Sequence, residues 1–222
     1  MKKIAVMIYP YFCMQEISCL TDGLKVYFDI DIDVFAASKE IIRSEDNFQV
    51  IANKTFEEFV PEEYRCVILP GIYDPMPALF DERNIEFLRS LKGKDVLISA
   101  ISSAPMLLAK AGLLEDVKFT HGTFDEICRA LDFIPYENIV HKPLVKDKNI
   151  ITAIGFAFRE FAEETIRSLG IDPLENGLFR GMERIWTEEE LTFHMGEEHF
   201  REFMEELESF HKEVNQTTSL SS

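Results

Sequence analysis

The sequence predicts one α/β domain on a mainly parallel sheet, followed by a C-terminal helical extension. Three observations predict it. Short apolar runs recur at residues 4–9 (IAVMIY), 66–69 (CVIL), 95–101 (DVLISAI) and 149–154 (NIITAI), and such runs belong to strands buried on both faces. Stretches of helical period separate them, as right-handed βαβ crossovers require. Beyond Asp172-Pro173 and Gly177 the composition turns Glu-rich. The length of 222 residues fits one domain with an appendage, large enough to bury a core without disulfide or metal staples.

Taken in order, the first strand at 4–9 is bounded by Pro10, and residues 15–28 follow with helical spacing. Residues 31–36 (DIDVFA) read as the second strand. Residues 41–44 and 48–52 flank Glu45-Asp46-Asn47 as a hairpin. The strand at 66–69 stops at Pro70-Gly71, and Asp74-Pro75-Met76-Pro77 then reads as a stiff loop, because each proline fixes its own φ and restricts its predecessor. A helix at 84–91 precedes the strand at 95–101, which leads into a helix at 104–113 ending near Gly112. Residues 124–131 are amphipathic. The strand at 149–154 runs into a helix at 156–169, closed by Gly170. The α/β domain spans 1–171 and the extension 172–214. Within the extension, Thr187-Glu188-Glu189-Glu190 is a capping box that opens one long helix, with Trp186 and Phe179 as anchors. Phe193, Phe200, Phe203, Leu207 and Phe210 form an apolar stripe that must dock on the domain or on a second subunit. Residues 215–222 read as a disordered tail.

Composition narrows the function classes. The hydrophobic content of 46% and charged content of 28% are those of a globular protein. A net charge of −17 repels a polyanionic backbone, so nucleic acid is not an expected partner. No apolar run approaches the ~20 residues that span a bilayer, and 4–9 is too short for a signal peptide, so neither membrane nor export is expected. Cys13, Cys19, Cys66 and Cys128 show no metal-ligand spacing and read as free thiols of a cytoplasmic protein. His194, Glu198 and His199 lack a third ligand in register, so no metal and no cofactor are expected.

Ligands in parallel α/β sheets bind beyond the carboxyl ends of the strands. Ser99-Ala100-Ile101-Ser102-Ser103-Ala104-Pro105 follows a buried strand and enters a helix, with small residues around Ser102. That is a relaxed nucleophile-elbow pattern, although a serine N-cap gives the same string. Glu16 sits past the first strand among Met14 and Ile17, where partial desolvation raises a carboxyl pKa. Gly71 and Ile72 offer backbone N–H groups toward an oxyanion. Cys13 is the nearest thiol by sequence, or a small apolar filler.

Together these places resemble the DJ-1/PfpI (ThiJ/PfpI) superfamily, from about residue 3 to residue 171. The resemblance rests on Lys3-Ile4-Ala5-Val6 leading to Glu16, Val67-Ile68-Leu69-Pro70-Gly71, the stretch from Ala100 to Leu114, Thr120-His121, and Ile151-Thr152-Ala153-Ile154-Gly155. The Thr-His step and the Thr-Ala-x-Gly strand are most similar to the branch with isocyanide hydratases and regulator-associated amidotransferase-like domains. The resemblance implies a flavodoxin-like three-layer α/β/α sandwich of the class I glutamine amidotransferase-like type, and a homodimer. It places the family's elbow cysteine on Ser102, its acidic partner on Glu16, its oxyanion amides on Gly71 and Ile72, and its histidine on His121, with Ser103 in the pocket. Serine at the elbow departs from the family. A hydroxyl needs an adjacent base where a thiol ionises near neutral pH. The peptidase-type histidine after the nucleophile is replaced by Ser103, and the late His-x-Glu of amidotransferases is absent after Ile154. The expectation is a pocket without thiol chemistry, in a protein that binds a small molecule or serves as an interaction module or in a stress-related role. The alternatives are a hydrolase or hydratase with Ser102 as nucleophile and His121 as base, or a cysteine enzyme carrying a Cys→Ser change at 102.

Overall fold

The computed structural model describes residues 2–174 and 187–219, with side chains through residue 212. Its main strands are β1 (Lys3–Met7), β2 (Ile32–Ala36), β5 (Lys54–Thr55), β6 (Tyr64–Leu69), β7 (Leu97–Ile101), β8 (Leu144–Asp147) and β9 (Ile150–Ala153). They form one sheet in the order β5-β2-β1-β6-β7-β9-β8. All neighbours are parallel except β8 and β9. β3 (Ile41–Arg43) and β4 (Gln49–Ile51) make a separate antiparallel hairpin around the expected turn. The apolar runs of β1, β6, β7 and β9 are buried because helices cover both faces. α1 (Gln15–Asp22) packs on α6 (Phe158–Ser168) in one layer, and α3 (Glu82–Ser90) on α4 (Pro105–Lys110) in the other. This is the three-layer α/β/α sandwich with a mainly parallel sheet.

Several boundaries differ from the sequence reading. The helix expected over 15–28 is α1 followed by a wider π-type turn, Gly23–Tyr27. The loop expected at 74–77 contains the start of a short helix, α2 (Met76–Phe80), since proline in a first turn forfeits no intrahelical bond. α4 closes at Gly112, where φ is +72°. Edge strands β5 and β8 were not expected at all. β5 has two residues, and β8 is the polar-containing string Leu-Val-Lys-Asp, so neither carries a readable apolar run.

The extension docks on the domain. α5 (Asp125–Ala130) receives its first strap: the Asp125 N–H donates to the Phe193 carbonyl at 2.8 Å, and Glu126 accepts from the Met195 N–H at 3.4 Å. The single long helix expected from Thr187 is two, α7 (Glu188–Leu191) and α8 (Glu197–Ser219). The capping box at Thr187 and Glu190 is formed. Of the apolar stripe, Leu207 is buried and Phe210 stacks on Phe80 of α2 with ring centroids 5.9 Å apart. α8 runs to Ser219, past the Val214 boundary read from the sequence and into the segment expected to be disordered. Phe179 and Trp186, the expected anchors, lie outside the described residues.

Candidate functional site

Four strand ends meet at one place. β1 leads to Glu16, β6 to Gly71, β7 to Ser102 and β9 to Gly155, and the chain from β1 and that from β6 depart to opposite sides of the sheet, as at a topological switch point.

Ser102 occupies the bend between β7 and α4 with φ at +60°, a conformation costing an L residue roughly 1–2 kcal/mol. Two hydrogen bonds hold it there. Its N–H donates to Ala153 of β9 at 2.7 Å, and its carbonyl accepts from the Gly122 N–H at 2.7 Å. The bend therefore depends on the neighbouring strand and on the Thr120-His121-Gly122 segment, itself tied to β9 by the Thr120 N–H donating to the Thr152 hydroxyl at 2.9 Å. This is the strained strand-to-helix geometry that lifts a side chain to the sheet rim.

The Glu16 carboxyl lies behind Ser102, in space left by two glycines. A Cβ on Gly71 would come within 2.1 Å of Glu16 Oε2 and 2.6 Å of Ser102 Cβ, and one on Gly155 within 2.5 Å of Glu16 Oε1. A Cβ on Gly122 would stand 3.0 Å from Ser102 Cα. Gly122 is a site residue that the sequence reading did not single out, and Gly155 entered it only as the end of the Thr-Ala-x-Gly strand, without a role in the site. The only signal was a glycine just past the Thr-His step and another just past the last parallel strand. Burial raises the Glu16 pKa to about 7; hydrogen bonds from the Ser102 hydroxyl and the Gly71 N–H offset part of that rise, and the Glu45 carboxylate adds to it. Glu16 is thus divided between its two protonation states near neutral pH.

The other assignments change. The Gly71 N–H donates to Glu16 Oε2 at 2.8 Å, and the Ile72 N–H donates to Ser103 Oγ at 2.8 Å, while Ser103 Oγ donates back to the Ile72 carbonyl at 2.8 Å. Both amides expected to face an oxyanion are engaged, and Ser103, in the pocket wall, ties the β6 loop to α4 through its hydroxyl. Among the described residues no hydrogen bond joins His121 to Ser102. The His121 Nδ1 accepts from the Thr123 N–H at 3.1 Å, and its ring rests 3.6–3.7 Å from the Cys128 sulfur. Burial lowers the His121 pKa to about 4, and the Thr123 N–H donating to Nδ1 leaves the neutral ring's proton on Nε2. Cys13 does reach the same corner, beside Glu16 and Glu45, but burial and those two carboxyls push its thiol far above the ordinary range. His194 faces Glu126 at 3.2 Å, on the strap across α5.

Above Ser102 opens a cavity of about 650 Å³. Ser102, Ser103 and Gly122 form part of its wall, the Tyr73–Met76 loop flanks its mouth, and Met195, Phe203 and Glu206 of the C-terminal extension complete it. That size suits a small organic ligand.

The sequence over residues 2–168 matches the DJ-1/PfpI family. Among curated proteins, the chain is 27% identical over 137 residues to Deglycase PfpI of Pyrococcus furiosus, covering 60% of this chain and 76% of that protein. It is 23% identical over 154 residues to the isonitrile hydratase of Pseudomonas putida, covering 69% of this chain and 65% of that protein. Among solved structures, a DJ-1 superfamily protein of Agrobacterium tumefaciens superposes with a TM-score of 0.67 at 22% identity, over 77% of this chain and 91% of that one. The sheet order, the glycine-lined bend and the sequence match over most of the domain agree: this chain belongs to the DJ-1/PfpI family.

Proposed function

We propose that this chain is a DJ-1/PfpI protein whose pocket at Ser102 and Glu16 binds a small molecule without the thiol chemistry of the family's cysteine, and that it works as a homodimer. One observation carries the reading: the imidazole and the amides that would activate Ser102 are committed elsewhere, which leaves Glu16 as the group at its hydroxyl. The imidazole is turned to Thr123 and Cys128, and the Gly71 and Ile72 amides are bound to Glu16 and Ser103. A serine lacking both an oriented imidazole and oxyanion donors lacks the two largest contributions to acyl-transfer catalysis. The four cysteines are no substitute. Cys66 and Cys128 are pushed up to about 12 by burial, Cys13 lies higher still, and Cys19 is also raised.

Glu16 favours a second reading. A carboxyl with a pKa of about 7 in contact with a hydroxyl is a stronger base than an ordinary glutamate, which suits a hydrolase or hydratase built on Ser102. One experiment separates the two. Purified protein is offered glyoxals, isocyanides, glutamine and peptides, beside the Ser102→Ala variant. The binding reading expects no turnover above the Ser102→Ala background. Turnover that Ser102→Ala and Glu16→Gln both abolish overturns it in favour of the second.

A further inference from the structure

We infer that the cavity over Ser102 selects a small apolar molecule carrying an ammonium group, with the apolar body under the Met195–Phe203 roof and the cation among Glu45, Asp74 and Glu206. This rests on the binding reading above and names the ligand class for that site.

The charge of the lining points one way. Its charged residues are Glu45, Asp74 and Glu206, and no Lys, Arg or His of the described residues lines it. None of the three carboxylates is ion-paired with a cation of the described residues, although ion pairs are frequent elsewhere on this surface. An anionic ligand would meet three like charges on a body of net charge −17. The Glu45 field also reaches the floor, where it disfavours ionisation of Glu16.

The remaining wall is apolar. Met106 and Ile127 are buried beneath it, and Met195 and Phe203 close it from the extension. Thioether and phenyl groups give an adaptable apolar surface for the body of such a ligand. The roof is fastened, not loose, by the Phe193–Asp125 and Met195–Glu126 hydrogen bonds and by buried Leu207.

The test uses two matched sets on the full chain: phenethylamine, phenethyl alcohol and phenylacetate, then hexylamine, hexanol and hexanoate. Affinities are read by ligand-observed NMR at low salt, for wild type, Glu206→Lys and Glu86→Lys. Glu206 is exposed, so its reversal leaves the fold intact; Glu86 is exposed on α3 outside the cavity and controls for the same change in net charge. The expected result is an amine bound at least about tenfold more tightly than its carboxylate, the scale of several exposed charge contacts together. Glu206→Lys erases that preference and Glu86→Lys keeps it. If alcohol or carboxylate binds as well as amine, or if Glu86→Lys acts like Glu206→Lys, the ammonium assignment is overturned while the binding reading stands. If no probe of either set binds, both fall.

Discussion

Burial raises Glu16 from its ordinary 4.5 to about 7 and lowers His121 from 6.5 to about 4. The folded chain keeps the Glu16 proton between about pH 4.5 and 7, where the unfolded chain has released it, so this group makes stability fall as pH rises through that window. His121 acts in the opposite sense. Between about pH 6.5 and 4 the unfolded chain takes up a proton that the folded chain refuses, so stability falls as pH drops. Each effect is worth roughly 3 kcal/mol at full extent, and across their overlap the two offset one another. Removing one exposes the other. In urea unfolding, Glu16→Gln should gain stability relative to wild type by up to about 3 kcal/mol between pH 4.5 and pH 7.5. Glutamine keeps an acceptor for the Gly71 N–H, so this difference reports charge and not a lost hydrogen bond. His121→Gln should gain relative to wild type in the reverse direction, toward pH 4. Differences flat with pH in both variants would mean that neither group is buried as described.

At the scale of elements, the parts of the fold that could be read were those whose signal is local. β1, β6, β7 and β9 are apolar on both faces and announce themselves, and Glu16 and Ser102 follow because a site lies just past such strands. β5 and β8 sit at sheet edges, where pairing on one side suffices and sequence pattern fades. The assignments that changed depend on which partner a side chain or amide takes, which no local sequence pattern announces. Whether the Ile72 amide is free is decided by Ser103, and where His121 points is decided by Cys128 and Thr123, on the segment that follows it. The roof was legible only as a stripe needing a surface. Its surface turns out to be α2 and α5, and Leu207 and Phe210 carry the contact. Leu207→Asp tests that element. Burying an unpaired carboxylate costs more than the ~1.5–3 kcal/mol that docking one leucine supplies, so α8 should detach rather than carry the charge inward. Limited proteolysis should then cut the connector at 192–196 rapidly, while the main thermal transition of the sheet domain survives. Loss of that transition would mean instead that the extension is part of one cooperative core.

For the molecule as a whole, the balance of charge sets a measurable sign. Forty acidic residues face twenty-three basic ones, so pairing every Lys and Arg still leaves the net −17 unbalanced. The ion pairs formed are largely on the surface, such as Lys25–Asp31 at 2.9 Å and Arg83–Asp81 at 2.7 Å, where solvent screens them. Like-charge repulsion is therefore the larger long-range effect, and salt weakens it. Going from about 0.01 M to about 0.15 M potassium chloride shortens the screening length from roughly 30 Å to roughly 8 Å. The melting temperature should rise by a few degrees over that range, since about 1 kcal/mol shifts a chain of this size by roughly 2–4 °C. The proposed homodimer should tighten over the same range in sedimentation equilibrium, because pairing two copies brings like charges together. Binding of phenethylamine should weaken with salt, because the same field that opposes self-association attracts the cation. Opposite signs for these two responses within one titration are what a single acidic field requires. A melting temperature that falls as salt rises would show that the surface ion pairs outweigh the repulsion.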